Sequence, residues 1–258
     1  MNSHSAIRIT VAIILLSLFA FGCSRQRQRL AMAYVIDMTA SVDSEAIEQA
    51  FAALKPLLNS KTLKRGDSIT IIPITGDTVT ETQGKILRIQ LPENREVYDA
   101  DLARLTTEVE EKLKVMQSDA TANPYQHSDI LGAADLAAEE LSTEKGNVRK
   151  VIAILSDFIQ DDSHFNFNIS PDLANERAAI ALAKKLSAGK SSNALSDFTG
   201  ASIYLGLLRS KDLKKMPNAR REAVQTFWRE YLKGGGAQSV ALVIDGPGKI
   251  ATIVDRGN

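Results

Sequence analysis

The chain has 258 residues, 44% of them hydrophobic and 24% charged, with 31 Lys plus Arg against 31 Asp plus Glu. That length suits one large domain or two small ones, and the zero formal charge lacks the basic excess or stripe of a nucleic-acid binder. Aromatic residues make up 5%, which also argues against a platform for stacking single strands, so no nucleic-acid partner is expected.

Met1 to Arg8 is polar with one positive residue, Arg8. Ile9 to Gly22, ITVAIILLSLFAFG, is almost wholly apolar. At about 14 residues it is short for a transmembrane helix and fits the apolar region of a signal peptide. It stops at Gly22-Cys23, and because Cys23 is the only cysteine no disulfide can form within the chain. A small residue followed by cysteine at the end of a leader resembles the cleavage site of bacterial lipoproteins. The resemblance implies that residues 1–22 are a signal and that Cys23 is lipidated as the first residue of the mature chain. It also implies a cell-envelope location, anchored on the extracytoplasmic side. Ser24 would favour transport to the outer membrane in a Gram-negative cell. The pattern departs from the family at Ala20, where Leu is usual, and at Phe21, which is bulky for its place. An uncleaved anchor, or a secretory signal with a chance cysteine, are the alternatives. Residues 23–30 then read as the lipidated cysteine and a short basic tether carrying Arg25, Arg27 and Arg29. About seven extended residues reach at most roughly 25 Å, so the arginines either touch anionic head groups or simply keep the tether in water.

Ala31 to Ile36 is a continuous apolar run, as expected of a strand buried on both faces. Asp43 to Leu58 carries Ile47, Ala50, Phe51, Leu54, Leu57 and Leu58 at helical spacing, with acids in the first turn and Pro56 to kink or end it. A second strand is expected at 67–76. In GKILRIQLPE, residues 84–93, Ile86, Arg88 and Gln90 alternate with Leu87, Ile89 and Leu91, which reads as a half-wet antiparallel edge strand. A polar helix follows over 99–117, and then a loop, SDATANPYQH. Asp129 to Leu141 is helical, VRKVIAILSD is the strongest buried strand, and a long polar loop leads to a helix at 174–187. ASIYLGLL, 201–208, is another strand. Asn218 to Leu232 is amphipathic, with Val224, Phe227, Trp228, Tyr231 and Leu232 on one face, and Gly234 to Gly236 end it. SVALVID is a further strand, DGPG a turn, and KIATIVD is expected to pair back as a hairpin strand. Strands alternating with helices imply an α/β fold, an open and mostly parallel doubly wound sheet with helices on both faces. The economical reading is one domain over 31–258; a domain ending near 245 with an appended hairpin strand is the alternative.

In such sheets ligands bind at the carboxyl ends of strands, where the strand order reverses. Two strands here end on aspartate, Asp37 after AYVI and Asp157 after VIAILS. If they are neighbours, the two carboxylates repel unless something positive lies between them. Thr39 and Ser41 add neutral oxygens on the first loop, and a divalent cation such as Mg2+ accepts oxygen ligands and keeps waters.

The segment DMTAS resembles the Asp-x-Ser-x-Ser motif of von Willebrand factor A domains, with Thr39 at the first Ser position. HSDILGAADLA resembles the family's later Thr segment, with Ser128 in place of Thr, and AILSDFIQDD supplies the family's Asp at the end of a strand, Asp157. The order of elements is similar over essentially the whole mature chain. The resemblance implies a metal-ion-dependent adhesion site for Mg2+ or Mn2+. Thr39, Ser41 and Ser128 would be direct ligands, with Asp37 and Asp157 direct or water-bridged. It further implies a binding module that is not an enzyme, taking a carboxylate from a protein partner. Ser, Thr and Asp also gather at helix N-caps, which is the ordinary explanation for any one of these residues alone.

Other classes fit less well. A haloacid-dehalogenase-like phosphatase needs a second Asp where Thr39 stands. A periplasmic solute-binding lipoprotein is usually two-domain, and this chain is short for that. A metal-dependent hydrolase would need a base near a metal-bound water, with His127 and His164 as the obvious candidates. GGG at 234–236 has no strand before it and no helix after it, so it is no dinucleotide loop, and no Gly-x-Ser-x-Gly elbow is present. Asp161 and Asp162 either draw a cation in or sit in a solvated loop. The loops at 118–128 and 157–173 surround the two aspartates and are the expected partner surface.

Overall fold

The computed structural model describes residues 27–59, 62–82, 84–190, 197–243 and 248–256. In chain order these form β1 (Arg29–Asp37), α1 (Ser44–Leu54), β2 (Ser68–Ile74), α2 (Thr78–Glu81), β3 (Leu87–Gln90), α3 (Asp99–Ala122) and α4 (Ile130–Ser142). Then come β4 (Val148–Ser156), α5 (Glu176–Lys190), β5 (Ala201–Leu207), α6 (Lys211–Lys215), α7 (Asn218–Gly234), β6 (Ser239–Val243) and α8 (Lys249–Arg256). The leader 1–22 and Cys23 lie outside the described residues, as does most of the expected DGPG turn. No helix among the described residues is long and apolar enough to cross a membrane.

The six strands lie in the order β3-β2-β1-β4-β5-β6. All pairs are parallel except β2 with β3, which is antiparallel at the edge. That edge strand alternates buried Leu87 and Ile89 with exposed Arg88 and Gln90, as its sequence pattern requires. β1 is buried along almost its whole length. Its period of two sends Ala31, Ala33 and Val35 to one core and Leu30, Met32, Tyr34 and Ile36 to the other. The first core is closed by α4, α5 and α7, with Trp228, Phe227 and Tyr231 at its centre. The second is closed by α1, α3 and α8. The fold is therefore a mostly parallel α/β sheet covered on both faces, and the strand order reverses between β1 and β4.

Three sequence expectations need correction. The helix α3 runs to Ala122, five residues beyond the expected end, so SDATA is helical and the loop shrinks to 123–128. Nothing in SDATA breaks a helix; the break comes at Asn123, which precedes Pro124 and leaves the helical region with ψ 75°. KIATIVD is not a hairpin strand but the helix α8. Ile250 and Val254 stand four apart on one buried face against the α1 side, and that spacing beats the apparent alternation. Finally, Arg27 and Arg29 are not free in a tether. Arg27 forms a two-pronged ion pair with the buried Asp67, at 3.1 and 2.8 Å. Arg29 opens β1 and pairs with Glu93 at 2.7 Å.

Candidate functional site

Asp37 is the last residue of β1 and is fully buried. Its Oδ1 accepts from Thr39 N–H at 3.0 Å and from Thr39 Oγ1 at 2.6 Å. Its Oδ2 accepts from Ser156 Oγ at 2.6 Å. Thr39 Oγ1 accepts in turn from Ser128 Oγ at 2.8 Å and lies 3.1 Å from Ser41 Oγ. Ser41 Oγ is 3.4 Å from Asp157 Oδ2, while Asp157 Oδ1 accepts the Ile159 amide at 2.9 Å. The structure thus brings all five expected residues, Asp37, Thr39, Ser41, Ser128 and Asp157, into one hydrogen-bonded cluster. They come from three loops at the carboxyl ends of the two central strands and at the start of α4.

The hydroxyls are not helix caps. The residue at the N-cap of α1 is Asp43, whose carboxylate makes no cap bond and pairs instead with Lys214 at 2.8 Å. The cap of α4 is Asp129, which accepts from Gly132 N–H at 2.9 Å; a Cβ on Gly132 would collide with that carboxylate. Thr39, Ser41 and Ser128 are therefore free of the ordinary task of such residues, and turn toward the aspartates. The three loops are tied to one another. Ala40 N–H donates to the Tyr125 carbonyl at 2.9 Å, and Ser128 and Asp161 exchange backbone bonds of 2.7 and 3.0 Å.

Burial pushes the Asp37 carboxyl above its ordinary value, against the hydrogen bonds from Ser156 and Thr39. Burial also pushes up Asp157, and the neighbouring Asp37 charge adds to the rise. Among the described residues no lysine or arginine forms an ion pair with either. Two carboxylates buried together with no cation beside them are costly when charged.

The donors are all oxygens, two carboxylates and three hydroxyls, and such a set fits a hard divalent cation. Among the described residues no group of three or more His, Cys, Asp or Glu gathers as a metal cage; two carboxylates plus hydroxyls is a different kind of set. His127 and His164 stand apart from it. His127 Nδ1 lies 3.5 Å from Asp161 Oδ2, and the His164 ring meets Ser163. Asp162 holds the amides of His164 and Phe165 and the side chain of Gln160, so it organises its own loop.

Two residues of the cluster were not anticipated. Ser156 bonds Asp37 and also accepts the Phe158 amide at 2.9 Å. Ser210, fully buried, caps α6 by accepting the Leu213 amide at 2.9 Å, and its hydroxyl helps to lower the raised Asp157 carboxyl. The available signals were a lone hydroxyl ending the apolar strand AILS and an ordinary cap-type Ser before KDLKK.

No protein-family model matches the chain, and no curated protein matches it. Among solved structures it is similar to an aerotolerance-related membrane protein from Bacteroides fragilis with multiple mutations to serines. That likeness has 14% identity and a TM-score of 0.45, and covers 88% of this chain and 97% of that one. It is also similar to the pilus adhesin SpaC from Lactobacillus rhamnosus GG in an open conformation, at 10% identity and a TM-score of 0.49, covering 91% of this chain and 30% of that one. A third likeness is to the manganese-loaded TRAP protein of Plasmodium vivax, at 12% identity and a TM-score of 0.40, covering 88% and 71%. Likenesses this distant do not settle a function, which has to be read from the site's own chemistry.

Proposed function

We propose that this chain is a membrane-anchored, von Willebrand A-like binding module of the bacterial cell envelope. It captures a carboxylate on a protein partner through Mg2+ or Mn2+. The observation that supports this most is the cluster itself: three hydroxyls released from capping duty, set among two buried carboxylates that lack a cation among the described residues. Asp37, Thr39, Ser41, Ser128 and Asp157 would hold the ion. Bound there, a hard divalent cation supplies positive charge that relieves the two aspartates and attracts an acidic group of the partner. Ser156 orients Asp37, and the Ile159 amide orients Asp157. Ser41, only half-buried, marks the side on which a partner reaches the cluster. The work is binding without turnover.

The anchor suits this reading. β1 begins at Arg29 and ends at the cluster eight residues later, roughly 26 Å at the rise of a strand. A lipid on Cys23 would hold the amino edge of the sheet toward the bilayer and the cluster away from it.

The test is titration calorimetry of Mg2+ and Mn2+ on the full-length chain, with and without acetate as a minimal carboxylate, beside Asp37→Ala and Asp157→Ala. One ion per chain is expected, lost in both variants while circular dichroism shows them folded. A folded wild type that takes neither ion under either condition would sink the reading.

A further inference from the structure

Phe158 directly follows Asp157 and has φ 63°. This is the left-handed region, which glycine and asparagine tolerate and a bulky aromatic rarely adopts. Such outliers persist only where the surroundings over-determine them. Here the Phe158 amide donates to Ser156 Oγ and the Ile159 amide to Asp157 Oδ1, both at 2.9 Å. On the other side, Trp228 Nε1 donates to the Phe158 carbonyl at 2.9 Å. The buried Phe158 ring lies 6.0 Å from the indole. Trp228 is fully buried on α7 and packs against Phe167, Phe227 and Tyr231, which support the indole in this orientation. Its N–H is its single donor, and it is committed to this carbonyl.

What the turn controls lies on both sides of it. Upstream, Asp157 Oδ1 is tied to the Ile159 amide, which leaves Oδ2 facing Ser41. Downstream, Gln160 is fully buried and accepts the Leu131 amide at 2.8 Å. The next residue, Asp161, makes the paired backbone bonds to Ser128. Two of the three loops that build the cluster thus take their placement from the backbone around Phe158.

We propose that Trp228 is a positioning residue for the cluster: its indole N–H holds the Phe158 carbonyl and fixes the left-handed turn that aims Asp157 and brings Asp161 to Ser128. The consequence for cation affinity rests on the proposed function; the hold on the turn does not. A tryptophan that served the core alone would contribute burial and nothing to the placement of these loops.

Trp228→Phe keeps a buried ring and removes the donor. Phe198→Leu trims the same core beside Tyr231, away from the turn, and controls for lost packing. On the full-length chain two quantities are read: amide hydrogen exchange at Ser128, Phe158, Ile159 and Asp161, and Mn2+ affinity by calorimetry. In Trp228→Phe the four amides are expected to exchange about tenfold faster than in the control, and Mn2+ affinity to fall about tenfold or more, as when a partner behind a metal ligand is removed. If the amides loosen but wild type takes no Mn2+, the positioning role stands and the cation reading falls. If Trp228→Phe loses stability as the control does, with the four amides still protected, Trp228 is packing only and the proposal is overturned, whatever the affinity.

Discussion

Two carboxylates buried side by side make the metal-free cluster sensitive to pH. An aspartyl group in the unfolded chain titrates near about 3.9, whereas Asp157 in the fold is pushed up to about 7 by burial and by Asp37. Between these values the folded state holds the proton that the unfolded state has lost. Stability of the metal-free protein should therefore fall as pH rises from about 4 through about 7, and the Asp37 carboxyl, also raised by burial, adds to the fall in the same direction. Asp157→Asn should flatten that slope and raise Tm at pH 8 by about 2–8 °C, the equivalent of about 1–2 kcal/mol, while abolishing stabilisation by Mg2+. Thermal melts at several pH values, with EDTA and with Mg2+, would check both halves; a variant less stable than wild type at pH 8 would contradict the first. Ser156→Ala strips a donor from buried Asp37 and an acceptor from the Phe158 amide. A loss of about 1–3 kcal/mol in denaturant melts is expected. Asp37, Thr39, Ser41 and Asp157 were legible in the sequence because oxygen-bearing side chains stand out where an apolar run ends, and Ser128 was legible only through the resemblance of its segment to a known motif. Ser156 was not, because one hydroxyl at the end of a strand has no partner at fixed spacing to mark it, and Ser210 was not, because it looks like any helix cap, which it also is.

Elements with a long, strongly periodic pattern were legible as elements, and their ends were not. The alternation of 84–93 announced an antiparallel edge, and the face of Val224, Phe227, Trp228, Tyr231 and Leu232 announced α7, because each pattern matches the burial it meets in the fold. α8 escaped because a segment of about seven residues matches both periods, and only packing against α1 decides between them. Ile250→Ala should then cost about 2–4 kcal/mol, as for a buried aliphatic trimmed to alanine, measured by chemical denaturation; an exposed hairpin strand would give almost none. The amino end teaches a similar lesson. Three arginines before an apolar run look like solvated charge, and only the fold shows the buried Asp67 that receives Arg27. Arg27→Ala should cost about 1.5–3 kcal/mol, the range for a hydrogen bond to a charged group. A protein trimmed to begin at Leu30 should melt lower than one beginning at Ser24.

At the scale of the whole molecule, the strand order joins chemistry to placement. Because β1 and β4 are neighbours at the centre, the residues ending them meet; because both run the same way, they meet at one edge of the sheet. The chain enters β1 at the opposite edge, beside Glu93, Lys145 and Asn147. On the proposed reading, a lipid on Cys23 would leave only a few residues before Arg27, which is bound to Asp67, so the amino edge would lie close to the bilayer. This predicts an orientation that can be measured. Val79 is exposed on α2, which follows the carboxyl end of β2, and Lys145 is exposed at the amino edge. With fluorophores placed at Val79→Cys or Lys145→Cys in lipidated protein on vesicles, a quencher confined to the head groups should dim the label at 145 and spare the label at 79. Equal quenching at the two positions would mean that the sheet lies flat, with the cluster near the lipid, and a protein partner would then have to compete with the membrane for it. Quenching at 79 alone would place the cluster against the bilayer and leave the amino edge free, which the short connection to Cys23 forbids if Cys23 carries the lipid; the anchor would then have to be sought elsewhere.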